Sequence, residues 1–504
     1  MIALDGPSIA ENEGRLTDEG VVLYDASALK QRYERRHFLD VPFVDLATID
    51  GGSRVMANTV ATGAALGLLG IDVHSFFEVI GQLMAKKGRK TIEENRGAAR
   101  RGYDYAVQHC EGCAFQKAPP GTPNMLIDGN AAIGLGAVLS GCRFYAGYPM
   151  TPSTGILLFM AEKSEEYGIV VEQAEDEIGA INMAIGASFA GVRSMTATAG
   201  GGFALMVEGL SLAAMTETPV VIVVGQRPAP ATGLPTRMEQ GDLMFALHAG
   251  HGEFPRTVFA PGSPEQALYL TNKAFELAEK YQIPSLILSD QYLADSRWTY
   301  VGLDLDRITY KDYRLRDQGL NGEDEYKRFA YTDSGVSPLA VPGHSRGPVV
   351  ADSDEHDEEG HLTEDGEIRT RMVQKRLLKK LPLIKAEMAP PSLYGAARPE
   401  TVVAGWGSTY GVLKEAIDLL SGQTSIALLH FSEIYPFPAT DKFDYLDVLK
   451  RASRTICVEN NATSQFARLM KMETGHQFTG TINKYDGRPF LLEEVLGALH
   501  GKLE

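Results

Sequence analysis

Residues 194–225 read SMTATAGGGFALMVEGLSLAAMTETPVVIVVG, and the pattern of this segment settles the class of fold. It predicts a strand over Ser194–Ala199, a glycine turn, a helix over Phe203–Glu217 and a second strand over Pro219–Gly225. The second strand is apolar at nearly every position, which is typical of a parallel strand covered by helices on both faces. Strand, helix and strand in this order indicate a doubly wound α/β sheet.

The alternation continues on both sides of this segment. Further strands are predicted over 142–147, 170–173 and 284–288, and further helices over 130–139, 178–190 and 264–281. A second α/β unit repeats the rhythm, with strands over 401–404, 425–430 and 454–459 and helices over 411–420, 444–451 and 464–474. The chain is therefore expected to be a multidomain α/β protein.

Composition shifts divide the 504 residues into four regions. Residues 1–117 form a partial α/β unit with a small-residue helix over 57–70, and a Pro- and Gly-rich linker follows. Residues 118–305 hold the doubly wound unit. Residues 306–392 form an extended connection with an acidic stretch at 352–367 and a basic helix at 372–380. Residues 393–504 hold the second α/β unit.

Bulk composition excludes several classes of protein. A net charge of −17 argues against nucleic-acid binding, because a polyanion would be repelled. No apolar run is long enough to cross a membrane, and the N-terminus lacks the pattern of a signal peptide, so a cytoplasmic protein is expected. Four cysteines rule out a disulfide scaffold, and the one CxxC pair, Cys110 and Cys113, is interpreted as ordinary reduced cysteines. We therefore expect any iron to lie on another chain.

The first candidate site is the turn GYPMTPST at 147–154, which follows a predicted strand. Two prolines stiffen it, and its hydroxyls and free amides can hold a carboxylate by neutral hydrogen bonds. Its place at the carboxyl edge of the sheet is where α/β proteins bind ligands. The alternative is a plain helix entry capped by Ser153 or Thr154.

The second candidate is the acidic run Glu175-Asp176-Glu177, placed before an apolar helix. Acids in the first turn of a helix are favoured by its dipole, and this accounts for Glu175 and Asp176. Glu177 differs because the buried helix that follows would remove it from water. A proton-sharing carboxyl in that position suits acid–base work.

Two further features follow neighbouring strands. The glycines at 200–202 let a ligand approach the backbone closely, although a tight turn explains them equally well. Arg227, directly after the apolar strand, can pair bidentately with a carboxylate, and the alternative is a surface arginine. Arg237 is a second candidate anion contact. Metal binding by His356 and His361 is conceivable, but a solvated charged loop is the favoured interpretation.

Taken in order, these segments resemble the α subunits of 2-oxoacid:ferredoxin oxidoreductases, most closely the 2-oxoglutarate type. GYPMTPST, QAEDEIGAINMAIGA and VVGQRP carry the resemblance, and GLPTRMEQGDL, GHGEFPR, DEHDEEGH, VVAGWGSTYG, VENNATSQ and KYDGRPF read like later signatures. The resemblance implies a thiamine diphosphate domain of the pyrimidine-binding type at 118–305 and a transketolase-C-terminal-like domain at 393–504. It also implies that 1–117 is the later half of a fused γ-type domain.

The resemblance also implies roles for individual residues. Glu177 is the expected catalytic residue, in contact with the thiamine pyrimidine ring. Tyr148, Thr151 and Arg227 are expected to bind the 2-oxoacid, with Arg237 as a candidate for a distal carboxylate. The other expected cofactor contacts are Pro149, Gly201 and Phe203. No metal ligands are expected on this chain.

Two departures from the family pattern define the expected partners. The glycine-rich start of the γ-type domain is either missing from this chain or supplied by another polypeptide. Asp128-Gly129-Asn130 lacks the form of the family's magnesium and diphosphate motif, which the family places on a β subunit with the [4Fe-4S] cluster. The implied assembly is an (αβ)2 heterotetramer that shares thiamine diphosphate, uses coenzyme A and passes electrons to ferredoxin.

The reaction implied is the conversion of 2-oxoglutarate to succinyl-CoA or its CO2-fixing reverse. The alternatives are the same chemistry on pyruvate, branched-chain or aryl 2-oxoacids. A different class of function, a non-catalytic structural subunit of such a complex, is opposed by the presence of Thr151, Glu177 and Arg227 together.

Overall fold

The computed structural model describes residues 1–35, 37–110, 124–316, 326–344 and 348–503. The chain divides into two compact units, Met1–Thr122 and Pro123–Glu504. The subdivision of the second unit at residues 305 and 392 stays a prediction.

The first unit is mostly helical around one short parallel strand pair, in which Val22 lies opposite Phe38. Its elements are α1 (Gly6–Asn12), β1 (Val22–Tyr24), α2 (Ala26–Leu29), β2 (Phe38–Asp40), α3 (Phe43–Thr48), α4 (Ala57–Leu68), α5 (Val73–Leu83) and α6 (Arg89–His109). Helices α4 and α6 touch through their glycines: a Cβ on Gly63 would lie 2.1 Å from the carbonyl oxygen of Ala99. The small residues of 57–70 therefore serve close helix packing, as the sequence predicts.

Cys110 follows α6 and is disulfide-bonded, so the expectation of a reduced cysteine is wrong at that position. Cys113 lies outside the described residues. Cys142 and Cys457 are free and buried, in agreement with the sequence interpretation.

The second unit opens with an alternating series of strands and helices. The series is β3 (Met125–Asp128), α7 (Gly129–Leu139), β4 (Cys142–Gly147), α8 (Thr154–Tyr167), β5 (Val170–Gln173), α9 (Glu177–Phe189), β6 (Arg193–Ala199), α10 (Gly200–Met215), β7 (Val220–Gln226), α11 (Leu243–His248), β8 (Thr257–Phe259), α12 (Pro264–Tyr281), β9 (Pro284–Asp290), α13 (Gln291–Asp295) and β10 (Arg297–Tyr300). Strands β3 and β10 form an antiparallel pair of their own.

The central sheet has seven strands in the order β14-β8-β9-β7-β6-β4-β5, where β14 is Glu433–Tyr435 from the last part of the chain. All neighbours are parallel except β14 and β8. Every residue of β7 is buried. Alternate side chains of the strand point to opposite faces of the sheet, and each set packs into the apolar core on its own face. The apolar run that predicts a doubly wound parallel sheet is thus confirmed as its central strand.

The last part of the unit forms a second sheet, in the order β11-β13-β12-β15-β16. Its elements are β11 (Ser392–Gly395), β12 (Thr401–Trp406), α16 (Tyr410–Leu420), β13 (Ile426–Phe431), β14 (Glu433–Tyr435), α17 (Tyr445–Arg451), β15 (Arg454–Glu459), α18 (Gln465–Thr474), β16 (Gly480–Asn483) and α19 (Leu492–Leu503). Strand β14 leaves this region and pairs antiparallel with β8 of the central sheet. The last part of the chain thus contributes a strand to the central sheet, and the two sheets share an apolar core.

The connection between the sheets contains α14 (Gly366–Val373), a π-helical turn at Gln374–Lys379 and α15 (Lys380–Glu387). Its basic residues reach into the interior: Lys375 and Lys380 both pair with Glu217, and all three side chains are 1% exposed. Burial by itself raises the pKa of Glu217, but the two ammonium groups hold it well below its usual range. The basic helix predicted at 372–380 thus anchors the connection by buried charge.

The favoured interpretation of the acidic stretch as a solvated loop is wrong at His356. This residue is fully buried and packs on Phe329, with ring centroids 3.9 Å apart. Neighbouring Glu355 pairs with Arg369 and Arg376. Within the described residues, no group of three or more His, Cys, Asp or Glu side chains is arranged to hold a metal ion.

Candidate active site

Four neighbouring parallel strands, β7, β6, β4 and β5, end at the same edge of the central sheet. The turn 148–153 follows β4, Glu177 follows β5, the glycines follow β6 and Arg227 follows β7. The carboxyl edge of such a sheet is where α/β proteins bind ligands. The topology therefore brings all four sequence features to one edge.

The turn after β4 is held in place from two sides. Asn130 donates a hydrogen bond from Nδ2 to the carbonyl of Pro152 at 3.0 Å, and a Cβ on Gly225 would lie 2.8 Å from Cγ of Pro152. Ser153 donates from Oγ to the carbonyl of Met150 at 2.7 Å and makes no capping bond to α8. The turn does enter a helix, but the capping that the alternative interpretation requires is not present at Ser153.

Arg227 and Thr151 meet directly. Nη1 of Arg227 donates a hydrogen bond to the main-chain carbonyl of Thr151 at 2.7 Å. Arg227 is 9% exposed, so the alternative interpretation as a surface arginine is wrong. Among the described residues this is the one hydrogen bond that the structure gives to the guanidinium, and its remaining N–H groups are available to an anion.

Glu177 is the first residue of α9, and the structure separates it from its acidic neighbours. Asp176 caps the helix by accepting a hydrogen bond from the amide of Gly179 at 2.7 Å, as the dipole argument predicts. Glu175 and Asp176 are exposed, whereas Glu177 is 3% exposed. Its Oε1 atom is buried and has no hydrogen-bond partner in the described part of the chain. Such an atom calls for a donor from outside this chain.

The glycines after β6 make room for this carboxylate. A Cβ on Gly202 would lie 2.0 Å from Oγ1 of Thr198 and 2.4 Å from Oε1 of Glu177. Gly201 is exposed and has open space at its Cα, with the nearest atom, the carbonyl oxygen of Ala231, 3.8 Å from a Cβ placed there. A ligand can therefore approach the start of α10 beside Glu177.

The remaining predicted residues lie in different surroundings. Tyr148 and Pro149 are exposed next to Thr151. Phe203 is fully buried and packs edge-on against Phe245, with centroids 5.1 Å apart, so its present contacts are those of the core. Arg237 is exposed and lines a separate surface pocket of about 280 Å³ with Tyr292 and Asp295.

Asp242 is a functional candidate that the sequence reasoning missed. It is 9% exposed, and its Oδ2 atom has no hydrogen-bond partner among the described residues. It lies against Gly200, where a Cβ would be 2.5 Å from Oδ2. Burial raises the pKa of Asp242 to about 6, although the Arg227 guanidinium opposes the shift. The sequence offers one weak signal, the aspartate in the segment GLPTRMEQGDL.

The loop that carries Asp242 is fastened to the second sheet. Gln240 donates from Nε2 to the carbonyl of Trp406 at 3.0 Å and accepts a hydrogen bond from the amide of Asn460 at 3.1 Å. Asn461 donates from Nδ2 to the carbonyl of Gln240 at 3.2 Å. The signatures MEQGDL and VENNATSQ, far apart in sequence, thus form one buried polar joint behind the site.

Asp128 serves a local purpose, as the departure from the diphosphate motif suggests. Its Oδ1 accepts a hydrogen bond from the amide of Ala131 at 2.8 Å and so caps α7. Among the described helices, none combines the length and apolar character that a membrane span requires.

Glu177 fits the thiamine group that the family resemblance implies. A buried carboxylate oxygen without a partner, beside open backbone, suits a hydrogen bond to a ring nitrogen. Residues 135–375 match the thiamine-diphosphate-binding family of pyruvate flavodoxin/ferredoxin oxidoreductases. Residues 1–105 match the family described as pyruvate ferredoxin/flavodoxin oxidoreductase.

Relatives and a solved structure agree with these matches. The chain is 37% identical to the α subunit of 2-oxoacid:ferredoxin oxidoreductase 1 of Sulfurisphaera tokodaii. The 459 aligned residues cover 88% of this chain and 71% of the relative. It is 32% identical to the 2-oxoglutarate synthase subunit KorA of Methanothermobacter thermautotrophicus, over 75% of this chain and 98% of the relative.

The structural comparison covers the whole chain. The 2-oxoglutarate:ferredoxin oxidoreductase of Magnetococcus marinus, solved with 2-oxoglutarate, coenzyme A and succinyl-CoA bound, matches with a TM-score of 0.90 at 30% identity, over 100% of this chain and 88% of the solved one. Family, relatives and structure lead to one conclusion: the chain belongs to the α subunits of the 2-oxoacid:ferredoxin oxidoreductases.

Proposed function

We propose that this chain contributes half of an active site for the coenzyme A-dependent oxidative decarboxylation of 2-oxoglutarate to succinyl-CoA, or its reverse, with ferredoxin as electron partner. One observation carries the proposal. The carboxylate oxygen of Glu177, which has no hydrogen-bond partner among the described residues, lies on the same sheet edge as Arg227, whose guanidinium has N–H groups to offer an anion.

Bound thiamine diphosphate supplies the electron sink on which 2-oxoacid decarboxylation depends. Within the proposal, Glu177 shares a proton with the pyrimidine ring at its Oε1 atom, and Gly202 leaves the space in which that atom lies. Arg227 and the turn at Thr151 hold the carboxylate of the 2-oxoacid. Because both groups are fixed by burial and hydrogen bonds, the keto carbon is presented in a defined orientation.

The choice of 2-oxoglutarate is supported by the relatives named 2-oxoglutarate synthase and by the Magnetococcus marinus enzyme solved with that substrate. The second carboxylate requires a second cation, and Arg237 is the candidate that the sequence provides. Arg237 lines a surface pocket in this structure, so its role depends on the substrate reaching that side of the loop 228–242.

A β subunit is expected to complete the site. It would hold the diphosphate, Mg²⁺ and the [4Fe-4S] cluster, in an (αβ)2 assembly that reduces ferredoxin. Asp128 caps α7 through its side chain, which is consistent with that division of labour.

The proposal is tested by producing the chain together with the candidate β subunit from the same genome. The copurified complex is supplied with thiamine diphosphate, Mg²⁺ and coenzyme A and offered 2-oxoglutarate, pyruvate, a branched-chain and an aryl 2-oxoacid, with ferredoxin or a dye as acceptor. The highest kcat/KM is expected for 2-oxoglutarate. A higher value for pyruvate would overturn the substrate assignment, and no reduction with any 2-oxoacid would overturn the proposed function.

A further inference from the structure

Two buried carboxylates flank the start of α10. Glu177 abuts Gly202 and Asp242 abuts Gly200, each with one oxygen that has no hydrogen-bond partner among the described residues. The exposed Gly201 lies between them with open space at its Cα. In the proposed reaction Glu177 shares a proton with the cofactor, whereas Asp242 has no role.

Asp242 is held in place through its main-chain amide and not through its carboxyl group. Its amide donates to Oε1 of Gln226 at 3.0 Å, and Gln226 directly precedes Arg227. The same Gln226 donates from Nε2 to the carbonyl of Ser289 on the neighbouring strand at 3.2 Å. Asp242 is therefore held at the end of β7, close to Arg227. Its buried carboxyl group feels the charge of the Arg227 guanidinium, but among the described contacts the two groups form no ion pair.

Three charged groups lie near Asp242 in the part of the chain that the structure describes. They are Arg227 at the end of β7, Glu239 on its own loop and Glu177 at the other side of the first turn of α10. The C-terminal region contributes neutral groups here, since Gln465 accepts a hydrogen bond from the amide of Met244 at 2.9 Å and donates to the carbonyl of Gly241 at 2.7 Å. Among these groups Arg227 is the cation, so a negative charge on Asp242 acts against the guanidinium charge.

We propose that Asp242 is a positioning residue that makes the binding of a 2-oxoacid carboxylate at Arg227 proton-linked, the protonated carboxyl favouring binding. This rests on the proposed function, in which Arg227 holds that carboxylate. An ionised Asp242 offsets the charge of Arg227 and repels the incoming anion, whereas a protonated Asp242 leaves the guanidinium charge free for it. Binding of the anion in turn draws a proton onto Asp242.

The raised pKa of Asp242, about 6, puts this exchange in an accessible pH range. If the bound carboxylate raises the pKa of Asp242 by one further unit, the Kd is about fivefold lower at pH 6 than at pH 8. The probe is glutarate, which has both carboxylates but no keto carbon that can react. Its Kd is measured by calorimetry on the copurified complex between pH 6 and pH 8.

The matched variants are Asp242→Asn, which removes the charge at nearly constant shape, and Glu239→Gln, which removes the neighbouring charge on the same loop. Asp242→Asn is expected to bind glutarate with a Kd that varies little with pH and lies about twofold below the wild-type value at pH 6. Glu239→Gln is expected to keep the wild-type pH dependence. Wild-type pH dependence in Asp242→Asn, or its loss in Glu239→Gln, would overturn the proposal.

A second measurement does not depend on the variant folding. Calorimetry of the wild-type complex at pH 6.5 in two buffers of different ionisation enthalpy gives the number of protons taken up with glutarate. A net uptake is expected, and zero uptake contradicts the proposal. A complex that oxidises 2-oxoacids but takes up no proton refutes this inference alone, whereas one that oxidises none refutes the proposed function.

Discussion

Nη1 of Arg227 donates a hydrogen bond to the main-chain carbonyl of Thr151 at 2.7 Å, across a gap of 76 residues in sequence. The bond ties the residue after β7 to the turn after β4, two strands away in the sheet. The guanidinium is thereby oriented before any substrate arrives, which lowers the entropic cost of binding.

Replacing Arg227 is expected to weaken the binding of every 2-oxoacid. Arg227→Ala should raise the KM by roughly tenfold to a hundredfold, because hydrogen bonds to charged groups contribute about 1.5–3 kcal/mol. Arg227→Lys keeps the charge but not the planar guanidinium, so it should raise the KM by less than Arg227→Ala does. Steady-state kinetics with pyruvate and 2-oxoglutarate checks this, and an unchanged KM in Arg227→Ala would remove the residue from the substrate site.

Arg237 is expected to act on one class of substrate only. Arg237→Ala should raise the KM for 2-oxoglutarate and leave that for pyruvate near the wild-type value, since only a dicarboxylic substrate offers a second anion. Equal losses for both substrates would mean that the exposed Arg237 supports the loop and not the distal carboxylate.

The glycines at the start of α10 provide a matched pair of substitutions. Gly202→Ala places a methyl group 2.0 Å from Oγ1 of Thr198 and 2.4 Å from Oε1 of Glu177, so activity should fall sharply and Tm should drop. Gly201→Ala meets no atom closer than 3.8 Å, and alanine favours a helix by about 1 kcal/mol over glycine, so its Tm should be unchanged or higher. Differential scanning calorimetry and dye reduction check both variants, and full activity in Gly202→Ala would contradict the packing described.

Removing the buried charge of Glu217 is expected to cost much more stability than removing an exposed one. Glu217→Gln leaves Lys375 and Lys380 buried without their partner, and breaking such a pair costs about 3–5 kcal/mol of unfolding free energy. The exposed pair Lys163–Glu166 is the control, and Glu166→Gln should cost less than about 1 kcal/mol. Chemical unfolding measures both, and similar losses would show that the buried network contributes little.

The pH dependence of that difference follows from the lowered pKa of Glu217. Its stabilisation is fully present above the ordinary carboxyl value of 4.5 and is lost as the pH falls towards the lower folded pKa. The gap in unfolding free energy between wild type and Glu217→Gln should therefore be constant above about pH 5 and shrink below pH 4.5. A gap that grows on acidification would contradict the ionised state of Glu217.

The elements that local patterns can reveal were predictable. The apolar run at 219–225 predicts β7. The helix predicted at 264–281 has the same bounds in the structure, because a proline at its start and an amphipathic repeat both indicate it. The apolar helix after Glu177 also distinguishes that acid from the exposed Glu175. In each case the signal lies within one or two turns of the element it predicts.

What the sequence did not reveal depends on partners far along the chain. Strand β14 pairs with β8, about 175 residues away, and three residues are too short to carry a pattern. Lys380 pairs with Glu217, which is 163 residues distant, so the burial of basic side chains in the helix predicted at 372–380 could not be read from the sequence. Asp242 gives only the weak signal of its place in the segment GLPTRMEQGDL, because its burial is produced by α10 and by the hydrogen bonds between Gln240 and the second sheet.

The central claim is that Glu177 serves the cofactor, and one comparison tests it most directly. Glu177→Gln and the exposed neighbour Glu175→Gln are each copurified with the β subunit and assayed for ferredoxin reduction with 2-oxoglutarate and coenzyme A. We expect Glu175→Gln to retain the wild-type rate and Glu177→Gln to assemble normally but lose roughly a hundredfold to ten-thousandfold in kcat. Wild-type turnover by Glu177→Gln would contradict the account.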